Sequence, residues 1–281
     1  MNSSNRERLT ITLRRDFTDT IDEMVDGVKV RNRSHAIELL LEKALNAKRV
    51  KTALILAGGK GTRMRPFTYE MPKPMIPVKG KPLVQHIIEL CRKHDIRDII
   101  LSVGYLGNKI QEHFGDGSHL GVKITYIFEE DELGTAGPLN LAKKYLNGPF
   151  LMFNGDVLSN IDLGDLIRFH ESQDALATIA LTQVEDPSAF GVVRLQGERI
   201  LAFDEKPKGK DASRLINAGV YMLDPKVLDY VPKGKAMMER DVFPKLAQEG
   251  RLYGYHFAGQ WFDTGTPAAY EKAIKEWKGV E

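Results

Sequence analysis

The 281-residue sequence predicts an α/β fold: a Rossmann-like mixed sheet preceded by a small strand-helix-helix module. Three observations carry this. Between residues 52 and 154, short apolar runs alternate with single helical patterns, as in parallel strands joined by right-handed crossovers. Beyond residue 172, strand-like runs crowd together, which adds antiparallel strands to that core. The first 50 residues differ from both, switching from strand to helix periodicity and holding the whole basic excess.

Composition sets outer bounds. Apolar residues make up 42% and charged residues 28%, and no apolar run approaches the ~20 residues of a membrane span. The opening MNSSNRER lacks the apolar segment of a secretory signal, and a single cysteine excludes internal disulfides and thiolate clusters, so a cytoplasmic location is expected. Cys91, in IIELCRKH, falls at an apolar helical position and is expected to be a buried thiol. Residues 1–51 hold 11 Lys/Arg against 8 Asp/Glu, while the remainder holds 29 against 30.

In the N-terminal segment Leu9, Ile11 and Leu13 alternate with Arg8, Thr10, Thr12 and Arg14, a strand with one apolar face. Ile21, Met24 and Val25 then recur at helical spacing, with Thr18 or Asp19 able to cap and Gly27 to terminate. Ser34 stands at a capping position before the stripe Ile37, Leu40, Leu41, Ala44 and Leu45. One strand and two helices make too small a core alone, and pairing the strand with its copy in a second chain solves this. RLTITL, a short helix, a turn and NRSHAIELLLEKAL resemble the ribbon-helix-helix DNA-binding module over about residues 6–48. The resemblance implies a homodimer whose ribbon enters the major groove, with Arg8, Thr10 and Thr12 on base edges and the amides around Arg33 and Ser34 on a phosphate. The alternative is that the module only dimerises the chain, with Thr10 and Thr12 facing solvent.

A domain boundary is expected near residue 50, giving domains 1–50 and 51–281. Strands are predicted at 52–57, 98–103, 122–128 and 150–154, with helices at 82–94, 107–114 and 136–145. A helix at 163–172 precedes strands at 175–181, 191–195, 200–203 and 218–223, and helices at 238–248 and 267–277 flank a strand at 252–257.

The loop after the first strand, LAGGKGTRMRPFTYEMPKP, combines Gly58, Gly59 and Gly61 with Arg63, Arg65 and Lys73. Glycines there let backbone amides approach an anion, at the strand end where α/β sheets bind ligands. It fits neither the G-x-x-x-x-G-K-[ST] phosphate loop nor the dinucleotide fingerprint. With L-A-G-G-x-G-T-R, P-x-T and P-K-P read as one string, it resembles the signature of the sugar-1-phosphate nucleotidyltransferases. LGTAGPL, FNGDV, FGVV, DEKP, NAGVYML and WFDTGTP follow in that family's order, so the resemblance covers about residues 52–277.

That resemblance implies attack by a sugar 1-phosphate on the α-phosphorus of a nucleoside triphosphate, with pyrophosphate leaving. Positioning and charge stabilisation carry such a transfer, without a protein nucleophile. It assigns Arg63 and Lys73 to the phosphates and Leu56, Ala57, Gly58, Gly59, Gly61, Thr62, Gly134 and Thr135 to the nucleotide. Asp156 and Asp263 become a Mg2+ pair, which suits a hard cation that takes one or two carboxylates plus phosphate oxygens. Gly191, Glu205, Lys206, Asn217 and Gly219 become the sugar-phosphate pocket. Glu129 replaces the glutamine of pyrimidine-using members, and a carboxylate could accept two hydrogens from a guanine edge. The chain stops soon after WFDTGTP, so no appended β-helix or acyltransferase is expected. A competing reading makes the chain a DNA-binding regulator that uses a catalytically weak domain to sense nucleotide or sugar phosphate.

Overall fold

A computed structural model describes residues 9–28, 30–46, 50–205 and 213–280, and the chain divides into two compact units, residues 1–49 and 50–281.

In the first unit, α1 (Arg15–Glu23) and α2 (Arg33–Asn46) are joined by an ion pair between the Arg33 guanidinium and both Asp22 oxygens. Two expectations are corrected here. Helix α1 starts at Arg15, so Thr18 and Asp19 lie inside it, and the Thr18 hydroxyl donates to Arg15 O instead of capping. Asn32, not Ser34, caps α2: its Oδ1 accepts the His35 amide at 3.0 Å, and Ser34 sits in the first turn. Residues 9–14 form no strand in the single chain, so the strand read from the alternation is not shown there. Leu9, Ile11 and Leu41 are 76%, 57% and 52% exposed, so these apolar side chains are uncovered. Arg8 lies outside them.

The second unit is built on a nine-stranded mixed sheet. Its parallel half comprises β1 (Thr52–Ala57), β4 (Asp98–Val103), β5 (Lys123–Phe128) and β6 (Phe150–Asn154), in the order β5-β4-β1-β6. A small hairpin, β2 (Pro77–Val78) and β3 (Lys81–Pro82), precedes α3 (Leu83–Lys93), and α4 (Gly107–Phe114) and α5 (Gly137–Ala142) make the other crossovers. The chain runs outward from β1 to β5 and returns to the other side of β1 at β6, so the switch point lies between β1 and β6.

After β7 (Val157–Ser159) and α6 (Leu163–Ser172) come β8 (Ala177–Gln183), β9 (Gly191–Gln196), β10 (Arg199–Glu205) and β11 (Leu215–Leu223). A π-helical turn, Met238–Val242, runs into α7 (Phe243–Gln248), followed by β12 (Leu252–His256), β13 (Trp261–Asp263) and α8 (Pro267–Glu276). Strand β11 pairs antiparallel with β6 and β8, extending the sheet beyond the parallel core. The apolar run of β1 is buried on both faces: Ala53 and Ile55 pack with α3 residues such as Ile87 and Ile88, while Leu54 packs with Leu139 and Tyr221 on the other side. Cys91 is fully buried, and burial pushes its thiol pKa up.

Candidate active site

Strand β1 ends at the switch point, and the glycine loop leaves it into a cleft of about 460 Å³. Leu56, Ala57, Gly58, Gly59, Gly61, Thr62, Arg63, Lys73, Glu129, Gly134, Thr135 and Asp156 all line that cleft, although they come from four separate stretches of chain. Gly61 adopts a left-handed φ of 61°, and a Cβ there would lie 2.9 Å from Lys73 and Thr68 side-chain atoms, so glycine lets the loop fold tightly onto the following turns.

Lys73 is carried on a short 3-10 turn, its side chain only 9% exposed, and its ammonium is ion-paired to Asp156. Asp156 follows β6 directly. The neighbouring ladder pairs β7 with β13 so that Asp263 lies opposite Val157, which brings the second aspartate beside the first. The Thr264 amide and hydroxyl both donate to Asp156 O, at 3.1 and 2.7 Å, and lock the two segments together. Burial, and then the charge on Asp156, raise the Asp263 carboxyl above its ordinary value, against the pull of Lys73 and Arg63. A Cβ on Gly265 would sit 3.0 Å from the Arg63 guanidinium and 2.9 Å from Asp263 Oδ1, so both side chains close over this glycine, which leaves them the space.

Two half-buried carboxylates whose mutual repulsion is only partly relieved form a donor set suited to Mg2+, which prefers few carboxylates together with phosphate oxygens.

At the opposite wall, Glu129 follows β5. Its Oε1 accepts the Ser102 hydroxyl at 2.6 Å and its Oε2 the Leu133 amide at 3.2 Å, and it lies directly over Gly58, where a Cβ would come within 2.5 Å of Oε1. A carboxylate has further lone pairs beyond these two bonds. The wall is completed by a strap, residues 234–238, that the sequence reading did not include. The Ala236 amide donates to Leu133 O at 2.9 Å and Ala236 O accepts the Ala136 amide at 2.9 Å. The Thr135 hydroxyl accepts from the Met238 amide and donates to Glu239, so its hydrogen bonds hold the strap. Lys235 and Met237 of this strap face the cleft, as do Pro74, Glu132, Asn154, Gly155 and Gly265. The motifs FNGDV and WFDTGTP contain three of these, whereas the strap, remote in sequence, offered only the nearby MERDVFP as a signal.

Of the expected sugar-phosphate residues, Gly191, Asn217 and Gly219 do not line this cleft but lie near its edge. Gly219 lies beside Asn154, and its amide donates to Asn217 Oδ1 at 2.9 Å, while Asn217 Nδ2 donates to the Tyr221 hydroxyl at 2.9 Å. Asn154 Oδ1 is buried with no partner among the described residues. Gly191 pairs with Glu205 at the end of the β9–β10 ladder, and its neighbour Val192 pairs with Ile216, which brings that ladder to Asn217. Lys206 lies outside the described residues.

An α/β sheet with a cation-rich glycine loop and two aspartates at its switch point defines a phosphate-handling protein of the nucleotide-binding class. A family model for nucleotidyl transferases matches residues 52–278, and the chain belongs to that family. Over 220 residues it is 44% identical to the mannose-1-phosphate guanylyltransferase of Mycobacterium tuberculosis, covering 76% of this chain and 61% of that protein. The chain thus spans about three fifths of the length of the curated relatives it matches. Among solved structures it resembles a Bacillus anthracis protein assigned as a glucose-1-phosphate thymidylyltransferase, solved with sucrose (TM-score 0.74, 28% identity, 80% of this chain and 94% of that one). It also resembles HddC of Yersinia pseudotuberculosis complexed with GMP-PN (TM-score 0.70, 29% identity, 82% of this chain and 100% of that one).

Proposed function

We propose that the second unit transfers a nucleotidyl group from a nucleoside triphosphate to a sugar 1-phosphate and releases pyrophosphate. The observation that carries this is the convergence of Arg63, Lys73, Asp156 and Asp263 at the mouth of the glycine loop. Both reactants are anionic, so their approach must be relieved by fixed positive charge. The amides of the loop from Gly58 to Thr62 cradle the triphosphate, Arg63 holds the departing β- and γ-phosphates, and Lys73 faces the reacting phosphate. Asp156 and Asp263 would hold Mg2+, which when bound offsets charge on the phosphate oxygens. Gly219, Asn217 and the Gly191–Glu205 ladder end, with Lys206, receive the sugar phosphate on the side of Asn154.

Glu129 favours a purine with two adjacent donors on one edge, and guanine supplies them. The curated relatives named as mannose-1-phosphate guanylyltransferases support GTP and mannose 1-phosphate as the substrate pair. The test is pyrophosphate release across the four common NTPs and a panel of sugar 1-phosphates, beside Asp156→Asn. Release that depends on Asp156 and selects GTP bears out the reading, whereas ligand binding without release in the parent supports a sensor instead.

For the first unit, the reading is a homodimer formed by pairing residues 9–13 of two chains and binding DNA through Arg8, Thr10 and Thr12. The uncovered Leu9, Ile11 and Leu41 support dimerisation. Sedimentation of Ile11→Glu should give monomers where the parent gives dimers. DNA affinity that falls steeply with salt and with Thr10→Ala/Thr12→Ala would establish the groove contact, and a flat response would leave a dimerisation module only.

A further inference from the structure

A second groove, of about 1280 Å³, runs between the β2–β3 hairpin, α3 and the segment after α8. Among the described residues, Lys79, Lys81, Arg92, Lys93, Lys275 and Lys278 face it, against two carboxylates, Glu89 and Glu276. This is not a by-product of composition, because residues 52–281 hold 29 Lys/Arg against 30 Asp/Glu. Some of the charge is balanced: Lys81 donates to both Glu89 oxygens at 2.9 Å, and Lys275 donates to Glu271 at 2.7 Å. Lys79 and Lys278 are exposed and have no carboxylate within ion-pair distance among the described residues.

The walls are held by hydrogen bonds. Gln260 Nε2 donates to Glu276 O and Gln260 Oε1 accepts the Lys278 amide, both at 2.9 Å. The Trp277 indole N–H donates to His86 Nδ1 at 3.3 Å, and the other His86 nitrogen donates to Val78 O at 2.9 Å. The segment bearing Lys278, the helix bearing Arg92 and the hairpin bearing Lys79 are thereby tied together. Trp277 and His86 are only 2% and 5% exposed, so no aromatic face is open for a base to stack on. Recognition here is of negative charge. The geometry points to a second anion site that takes a small polyphosphate, a diphosphate or triphosphate group, whatever else is attached to it.

The test is calorimetric titration of inorganic triphosphate, pyrophosphate and GTP into the full chain, without divalent metal and at low salt. It compares the parent with Lys79→Glu/Lys278→Glu and with Arg63→Ala/Lys73→Ala, each checked for an unchanged melting temperature. Inorganic triphosphate is expected to fill both the groove and the catalytic cleft of the parent. The groove variant should lose one site, weakened about tenfold or more, the scale of two reversed exposed charge contacts, and the cleft variant the other. Equal groove affinity for triphosphate and GTP is expected, and groove binding confined to GTP would overturn recognition of the phosphates alone. If charge reversal at Lys79 and Lys278 leaves every site intact, the proposal fails. If instead only the cleft variant changes nothing, the active-site assignment fails while the groove stands.

Discussion

Lys73 and Asp156 lie 83 residues apart in the chain, yet the ammonium of one is paired with the carboxylate of the other at the mouth of the cleft. In the proposed reading the pair sets a low-exposure cation where the phosphate would arrive, beside the carboxylates that would hold Mg2+. Lys73→Ala is expected to lower kcat for pyrophosphate release by about 10²-fold or more, the scale of one transition-state charge contact. Near-normal turnover would remove Lys73 from the mechanism.

Asp263 gives a pH and metal test with a defined sign. Its carboxyl is raised above 3.8 by burial first and by Asp156 second. The stability this contributes is therefore complete below pH 3.8 and is lost as pH rises through the higher folded value. Asp263→Asn should accordingly melt above the parent at pH 7 in chelator, with the difference vanishing in acid. Mg2+ should raise the parent's Tm more than the variant's. A variant that melts lower in chelator would contradict carboxylate repulsion at this site.

His170 behaves in the opposite sense. It is buried on α6, with Nδ1 2.9 Å from the Thr178 hydroxyl, and burial pushes its pKa down to about 4. Stability from the neutral ring is present above pH 6.5 and is lost as pH falls from 6.5 towards 4. The loss is on the order of 3 kcal/mol. Denaturant melts at pH 7 and pH 4.5 should show a smaller acid loss for His170→Gln than for the parent.

Gly134 takes a left-handed φ of 76°, and a Cβ there would lie 2.4 Å from Ala236 O. Alanine would add backbone strain of about 1–2 kcal/mol and push the strap away from the cleft. Gly134→Ala is expected to lower Tm by about 2–8 °C and to raise the nucleotide KM, measured in the same release assay.

Glu129 is the base-selectivity test. Glutamine at 129 keeps one acceptor oxygen but replaces the other by a donor, so it cannot serve Ser102, Leu133 and two guanine hydrogens together. Glu129→Gln should reduce kcat/KM for GTP by about 10–100-fold, the scale of a lost buried hydrogen bond, with little change for UTP. Equal losses for both nucleotides would place Glu129 in loop support rather than base reading.

The chain sequence by itself determined the parallel core. The bounds 52–57, 98–103, 107–114 and 150–154 read from it coincide with β1, β4, α4 and β6, because continuous apolar runs and helical stripes end there at glycines or polar residues. It also singled out the glycine loop and both aspartates, which the structure brings together at the cleft. Only the tertiary structure decided how these meet. The β7–β13 ladder that sets Asp263 beside Asp156 is three residues long, too short for any periodicity to register. The strap carrying Lys235 is joined through Ala236 to Leu133, Ala136 and Gly137 by backbone hydrogen bonds, about a hundred residues away along the chain, and backbone bonds leave no trace in residue identity. Asn32 displaced Ser34 as the α2 cap because both residues can cap, and the turn geometry alone chose between them.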